Sequence, residues 1–156
     1  MNCIIRQTAP ADAGAVLALV NNNLDDFFHP DIVDFFLMQW PTGQFIATDF
    51  LNRPLGVLVG SRLSRGRASI SLLAVNPDVR SKGVGTQLLT YFRRRCMMEG
   101  YSMMQLEVRT TNASAIRFYE KHGFRVSENL LNFYSNGGSA YRMICNVMDD
   151  EIHHAF

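Results

Sequence analysis

A basic loop that contains two glycines carries the clearest chemical signal in the chain. The segment Leu73–Thr86 runs from an apolar strand, through Arg80-Ser81-Lys82-Gly83-Val84-Gly85, into an amphipathic helix. The first turn of a helix offers backbone N–H groups without intrahelical partners and a partial positive charge. The glycines allow close backbone approach to a phosphate, and Arg80 and Lys82 add charge. We expect this loop to bind a phosphate group. The alternative is that it is an ordinary strand–helix turn.

A carboxylate occupies a second informative segment, residues 106–124. Glu107 lies between Leu106 and Val108 on a strand that is predicted to be buried. A carboxylate in such a strand costs free energy unless it has partners. An ion pair with Arg109 or Arg6 would explain it, and so would a chemical role.

The helix that follows this strand contributes an asparagine and a phenol. Asn112 opens the helix, and Tyr119 lies seven residues later. Seven residues are about two helical turns, so both side chains lie on one face. The alternatives are a plain N-cap for Asn112 and a packed aromatic side chain for Tyr119 beside Phe118 and Phe124.

Together, these two segments closely resemble the motifs of the GNAT superfamily of acetyl-CoA-dependent N-acetyltransferases. Leu106-Glu107-Val108-Arg109 and the stretch from Phe133 to Met143 are most similar to the protein N-terminal acetyltransferases. These include the bacterial ribosomal-protein alanine acetyltransferases and the archaeal and eukaryotic catalytic subunits. The hairpin turn is often acidic in that family, whereas here it is Asn136-Gly137-Gly138-Ser139, which leaves the substrate preference open.

The resemblance implies a direct acetyl transfer to the α-amino group of a peptide or protein N-terminus, through a tetrahedral intermediate. It assigns Glu107 as the general base, through water, and Tyr119 as the general acid at the thioester sulfur. No covalent nucleophile and no metal are implied. The residues it implies in acetyl-CoA binding are Leu73, Ala74, Val75, Arg80, Ser81, Lys82, Gly83, Val84, Gly85, Thr86, Asn112 and Tyr119.

Candidate substrate contacts come from two loops that flank this machinery. Asp25, Asp26 and Phe28 lie in the first interhelical loop, where carboxylates would hold a protonated N-terminus. The alternative is a solvated acidic loop with one packed aromatic side chain. Tyr134 and Tyr141 belong to the final hairpin and are candidates for contacts with the peptide backbone.

Hydrophobic periodicity and turn residues predict the element order β-α-α-β-β-β-α-β-α-β-β. The strands on either side of the glycine loop and its helix form a βαβ unit, so they should be parallel neighbours. A mixed sheet with helices on both faces follows. The resemblance sharpens this to the GNAT fold, a mostly antiparallel seven-stranded sheet with about four helices. The predicted strands and helices are residues 4–7, 8–23, 31–40, 45–48, 55–63, 68–75, 83–99, 102–109, 112–122, 124–134 and 140–147.

Composition favours one globular domain. The chain has 156 residues, 47% of them hydrophobic, and a net charge of +1, which gives no global field for nucleic acid. We expect a single domain over residues 1–148 and a polar tail over 149–156. Three widely spaced cysteines, no signal peptide and no membrane span favour a cytoplasmic location.

Several alternatives stay open at the level of substrate and partner. One alternative is that the acceptor is a small amine or a lysine side chain. Another is that the protein is a non-catalytic acetyl-CoA sensor. The pair Glu107 and Tyr119 argues against the sensor. The run Arg93-Arg94-Arg95 predicts a solvated helix face, with a ribosome contact as its alternative; the need for an auxiliary subunit is open.

Overall fold

The computed structural model describes residues 2–23 and 27–148, with the side chain of Asn23 left out. The predicted tail, 149–156, lies outside these residues. The element order agrees with the prediction, and short 3-10 turns precede α1, β2 and α3. The elements are β1 (Ile4–Gln7), α1 (Ala13–Asn23), α2 (Asp31–Gln39), β2 (Gln44–Thr48), β3 (Pro54–Arg62), β4 (Arg67–Val75), α3 (Val84–Met98), β5 (Met103–Arg109), α4 (Ala113–Lys121), β6 (Arg125–Leu130) and β7 (Ala140–Asn146).

The strands form one seven-stranded sheet in the order β1-β2-β3-β4-β5-β7-β6. Every neighbouring pair is antiparallel except β4 and β5, which are parallel as the βαβ unit predicts. The predicted fold class is therefore confirmed. No helix within the described residues is long and apolar enough to cross a membrane.

Each face of the sheet carries its own hydrophobic core. One core includes Leu88 and Phe92 of α3 together with Tyr119 of α4. The other includes Val20 of α1 and Val33 of α2. In α3 the buried residues recur at helical spacing, so burial of one stripe holds this helix on the sheet.

The central parallel strands, β4 and β5, pair at one end and separate at the other, and we call this opening the fork. Its pairing covers only residues 67–69 of β4 and 103–105 of β5. On the other side of β4, the register with β3 shifts between Val59 and Gly60, which pair with Leu72 and Ile70 and leave Ser71 as the extra residue of a bulge. A bulge bends its strand and increases its twist. Within the described residues, β5 does not pair with β4 beyond residue 69. The edge of β4 that faces β5 is therefore open there, close to the last residues of β5 and the first residues of α4.

One helix arginine is buried, contrary to the solvated face that its sequence predicts. Arg93 is 5% exposed. Its guanidinium donates hydrogen bonds to the carbonyl oxygens of His122, Asn146 and Val147 at 3.0–3.3 Å. Because these carbonyls end α4 and β7, Arg93 ties both elements to α3.

Two further local predictions are corrected. Thr8 is not a helix cap: it is buried, and the first turn is fixed instead by Asp12, whose carboxylate accepts the Ala9 N–H at 2.7 Å. The predicted strand through Tyr134 ends at Leu130 because the chain turns away into a loop over 131–139. Gly137, with φ +86°, supplies the turn within that loop.

Candidate active site

The backbone of the glycine loop is arranged to bind an anion. Gly83 caps α3 in the left-handed conformation, with φ +88°, and Ser81 also has a positive φ of 63°. The first backbone hydrogen bond of the helix joins the Gln87 N–H to the Gly83 carbonyl at 3.0 Å. The three N–H groups before Gln87 therefore face outward at the positive end of the helix dipole.

These N–H groups border a cleft of about 800 Å³ between the end of β4, the glycine loop and α4. Most of the predicted cofactor residues line it, and Lys82 is not among the described lining residues. Gly85 lies against α4, since a Cβ built on it would be 3.4 Å from the Phe118 ring. The lining residues that were predicted are Leu73, Ala74, Val75, Arg80, Ser81, Gly83, Val84, Gly85, Thr86, Asn112 and Tyr119.

A second, smaller cavity of about 310 Å³ lies in the mouth of the fork between β4 and β5. We call it the acceptor cavity and the larger one the cofactor cleft. Four residues line both: Leu73, Asn112, Ala115 and Tyr119. The two spaces therefore adjoin at these four residues.

Asn112 is both a helix cap and a lining residue. Its side-chain oxygen accepts the Ala115 N–H and the Ser114 hydroxyl, each at 3.2 Å, as an N-cap does. The same residue lines both cavities. Capping thus fixes this side chain at the junction between them.

Glu107 faces the acceptor cavity but has a different partner from those that the sequence suggested. Its Oε2 accepts hydrogen bonds from the Nε of Arg142 and the Nε2 of Gln105, each at 3.1 Å. Arg6 pairs with Asp12 instead. Arg109 lies on β5 with its guanidinium 3.9 Å from the centre of the Tyr134 ring. The alternative that the sequence left open, an ion pair with Arg109 or Arg6, is therefore replaced by an ion pair with Arg142.

Tyr119 is both a packed aromatic residue and a lining residue. Its ring makes edge contacts with Phe118 and Phe124, with centroid distances of 5.2 and 5.6 Å. The residue is 9% exposed. Burial raises the pKa of the Tyr119 phenol well above its ordinary range. The hydroxyl is therefore protonated across neutral pH.

The structure brings only some of the predicted substrate contacts to the acceptor cavity. Phe28 and Tyr134 both line it. Tyr141 pairs with Val108 across β5 and β7 and packs against the core beneath α3 and α4, so it is not among the described residues that line either cavity. Asp25 and Asp26 lie outside the described residues.

Sequence reasoning missed several residues that shape the site. Asn21 of α1 holds the backbone of Phe28: its Oδ1 accepts the Phe28 N–H at 2.7 Å and its Nδ2 donates to the carbonyl at 3.2 Å. His122 lines the cofactor cleft, and its Nε2 lies 3.1 Å from the Thr86 hydroxyl. The strand alternation could have revealed Gln105, which shares a face with Glu107. No local signal pointed to Asn21 or Arg142.

A cleft with helix N–H groups and an open strand edge suits a pyrophosphate with an extended amide arm. It adjoins a cavity that a carboxylate and a buried phenol line. This combination suits a coenzyme A-dependent acyltransferase. The model of the acetyltransferase (GNAT) family matches residues 16–124, and the chain belongs to this family. It is an N-acetyltransferase that uses acetyl-CoA.

Comparisons with individual proteins agree with this assignment. N-alpha-acetyltransferase 30 of Schizosaccharomyces pombe is 29% identical over 133 residues, which are 83% of this chain and 88% of that protein. An N-acetyltransferase of Methanocaldococcus jannaschii is 30% identical over 146 residues, 90% of each chain. The crystal structure of Ard1 from Thermoplasma volcanium is 33% identical, with a TM-score of 0.90, over 96% of this chain and 100% of that one.

Proposed function

We propose that this protein transfers the acetyl group of acetyl-CoA to the α-amino group of a peptide or protein N-terminus. The observation that carries the proposal is the acceptor cavity, which is lined by Phe28 of the first interhelical loop and by Tyr134 of the β6–β7 loop. A chain terminus can enter between these two walls and meet the cofactor cleft at Tyr119. The similarity to N-alpha-acetyltransferase 30 and to Ard1 supports the same substrate class.

Acetyl-CoA supplies an activated thioester carbonyl to this reaction. The acceptor amine must lose a proton before its nitrogen can attack. Glu107 is the base, with a bridging water as the carrier, because its carboxylate lines the acceptor cavity. A new C–N bond forms, the C–S bond breaks, and the proton taken from the amine leaves through Glu107.

Tyr119 is the acid for the sulfur leaving group. Tyr119 lines both cavities, and burial raises the pKa of its phenol, so it carries a proton at the pH of the reaction. The phenol donates this proton to the departing thiolate as the C–S bond breaks. Return of a proton to Tyr119 from solvent completes the cycle.

The first experiment measures acetyl transfer by the chain alone from labelled acetyl-CoA. Short peptides that differ in their first residue are compared with the same peptides carrying a blocked α-amine and one free lysine, and with polyamines. We expect transfer only to free α-amines, graded by the first residue. Transfer only to lysine or to small amines would overturn the proposal.

A result with binding but no transfer is also informative. Tight binding of acetyl-CoA without transfer to any peptide would contradict activity of the chain alone. A subsequent gain of activity on addition of cell extract would then indicate an auxiliary subunit or a ribosome. No gain would favour a non-catalytic sensor.

The Glu107→Gln variant tests the proposed base. We expect kcat to fall by about 10²- to 10⁴-fold, the range of general-base contributions, with acetyl-CoA affinity unchanged. Glu120→Gln is the matched control because Glu120 is exposed on α4 and lines neither cavity. An unchanged kcat for Glu107→Gln at every pH would remove the base from the mechanism.

A further inference from the structure

Both hydrogen bonds that Glu107 accepts from described residues end on the same oxygen. The Nε of Arg142 and the Nε2 of Gln105 lie 3.1 Å from Oε2. Because the carboxylate lines the acceptor cavity, Oε1 is the oxygen that an outside donor can use. The two donors thus fix how the carboxylate is rotated and which oxygen is available.

Strand geometry explains why these three side chains meet. Gln105 and Glu107 are two residues apart on β5, so they lie on one face of the sheet. The register of β5 with β7 places Arg142 directly opposite Glu107. Cross-strand neighbours have Cβ atoms about 5 Å apart, which is within reach of an arginine and a glutamate.

The two donors are themselves held by residues on two further strands, β4 and β6. The Arg67 guanidinium donates to Oε1 of Gln105 at 3.0 Å, which turns the amide nitrogen toward Glu107. Arg142 donates from its other nitrogen to Glu128 on β6 at 3.2 Å. Gln105 is 9% exposed. The arrangement therefore spans β4, β5, β7 and β6 and leaves little rotational freedom to Glu107.

We infer that Arg142 and Gln105 are positioning residues for the reaction, holding Glu107 so that Oε1 faces the acceptor amine or its bridging water. This inference rests on the proposed role of Glu107 as the base. A base that is displaced by about 1 Å loses much of its effect on rate, so the two donors act on kcat and leave acetyl-CoA binding unchanged.

The test uses Arg142→Met, Arg142→Lys and Gln105→Leu in the full chain. We expect Arg142→Met and Gln105→Leu to lower kcat about 10- to 100-fold with an unchanged KM for acetyl-CoA. Arg142→Lys should restore only part of kcat, since lysine keeps the charge without the arginine geometry.

A double variant separates positioning from a general structural effect. In the Glu107→Gln background, the carboxylate on which Arg142 acts is gone, so Arg142→Met should cause no further loss of kcat. An equal additional loss there would overturn the inference. Arg125→Met is the matched control, since Arg125 is exposed on the neighbouring strand β6 and should leave kcat unchanged.

The outcomes distinguish this inference from the proposed function. A Glu107→Gln enzyme with normal kcat refutes the base and the inference together. A Glu107→Gln enzyme without activity, beside Arg142→Met and Gln105→Leu enzymes with the kcat of the original chain, refutes the inference alone. If thermal unfolding shows that Arg142→Met is not folded, the kcat values of Gln105→Leu and Arg142→Lys decide.

Discussion

The cofactor cleft and the acceptor cavity are built in different ways, although they share four lining residues. The cofactor cleft relies on backbone N–H groups at one helix start and on the edge of one strand, most of them within residues 73–86. The acceptor cavity relies on side chains from separate parts of the chain, such as Phe28, Glu107 and Tyr134. Backbone groups are indifferent to most substitutions, whereas a cavity made of side chains changes its preference with each one.

This difference predicts which kinetic constant each substitution changes. Substitutions in the cofactor cleft should alter acetyl-CoA affinity, and those in the acceptor cavity should alter acceptor use. The shared residues should alter the chemical step instead.

The largest effect in this comparison is expected for Tyr119→Phe, at the junction of the two spaces. Loss of the proton donor should lower kcat by about 10²-fold with little change in either KM, because the ring still packs against Phe118 and Phe124. Tyr91→Phe, on the exposed side of α3, is the control. Steady-state kinetics with both substrates varied gives the constants, and a normal kcat would exclude the acid role.

The same residue makes a prediction about alkaline pH. Because burial raises the pKa of Tyr119, the folded enzyme keeps this proton above the ordinary value of 10.0. Its stabilising contribution is complete below pH 10 and is lost as the pH rises further, because only the unfolded phenol ionises readily there. Equilibrium unfolding should show stability falling above pH 10 in the original chain and falling less in Tyr119→Phe.

Gly83→Ala is expected to have an intermediate effect, confined to the cofactor. A left-handed conformation costs a residue with a Cβ about 1–2 kcal/mol, and the first turn of α3 would shift to relieve it. We expect acetyl-CoA affinity, measured by calorimetry, to fall about 10-fold with an unchanged peptide KM. Gly14→Ala is the control, since a Cβ there meets nothing within 4 Å. Undiminished affinity in a folded Gly83→Ala protein would contradict phosphate binding by this loop.

Phe28→Ala should have a smaller effect, and only on the acceptor. Removal of one apolar wall enlarges the acceptor cavity, so the KM for peptides should rise several-fold and the preference among first residues should weaken. Phe35→Ala removes an exposed ring on α2 and serves as the control. A change in acetyl-CoA affinity instead of the peptide KM would contradict separate roles for the two cavities.

Asp12 is not among the described residues that line either cavity, so Asp12→Asn should change only the free energy of unfolding. The Arg6 guanidinium holds the pKa of Asp12 below its ordinary value of 3.8 through hydrogen bonds of 2.7 and 2.9 Å. The contribution, about 1 kcal/mol, is present above pH 3.8 and is lost as the pH falls through the lowered pKa. Chemical unfolding at pH 7 and at pH 2 should show the difference only at pH 7, while kcat and both KM values stay unchanged.

The fold and the cofactor cleft were the most predictable parts of this protein. Strand alternation, helical spacing and glycines are local signals, so the element order and the loop of residues 80–86 follow from short stretches of sequence. A helix start offers its N–H groups wherever it occurs, and Gly83 permits the turn that aims them. The sequence by itself therefore determined the glycine loop and the helix start that border the larger cleft.

Tertiary structure decided which side chains share a space. Arg142 is 35 positions from Glu107, and only the register of β7 against β5 places it opposite. Arg93 looks like a surface residue in its run of arginines, yet three carbonyl groups from distant strand and helix ends surround its guanidinium. Tyr141 is a predicted substrate contact, and its pairing with Val108 places it against the core instead of in the lining of either cavity. Long-range pairing has no signature within a short segment, because it depends on how whole elements pack.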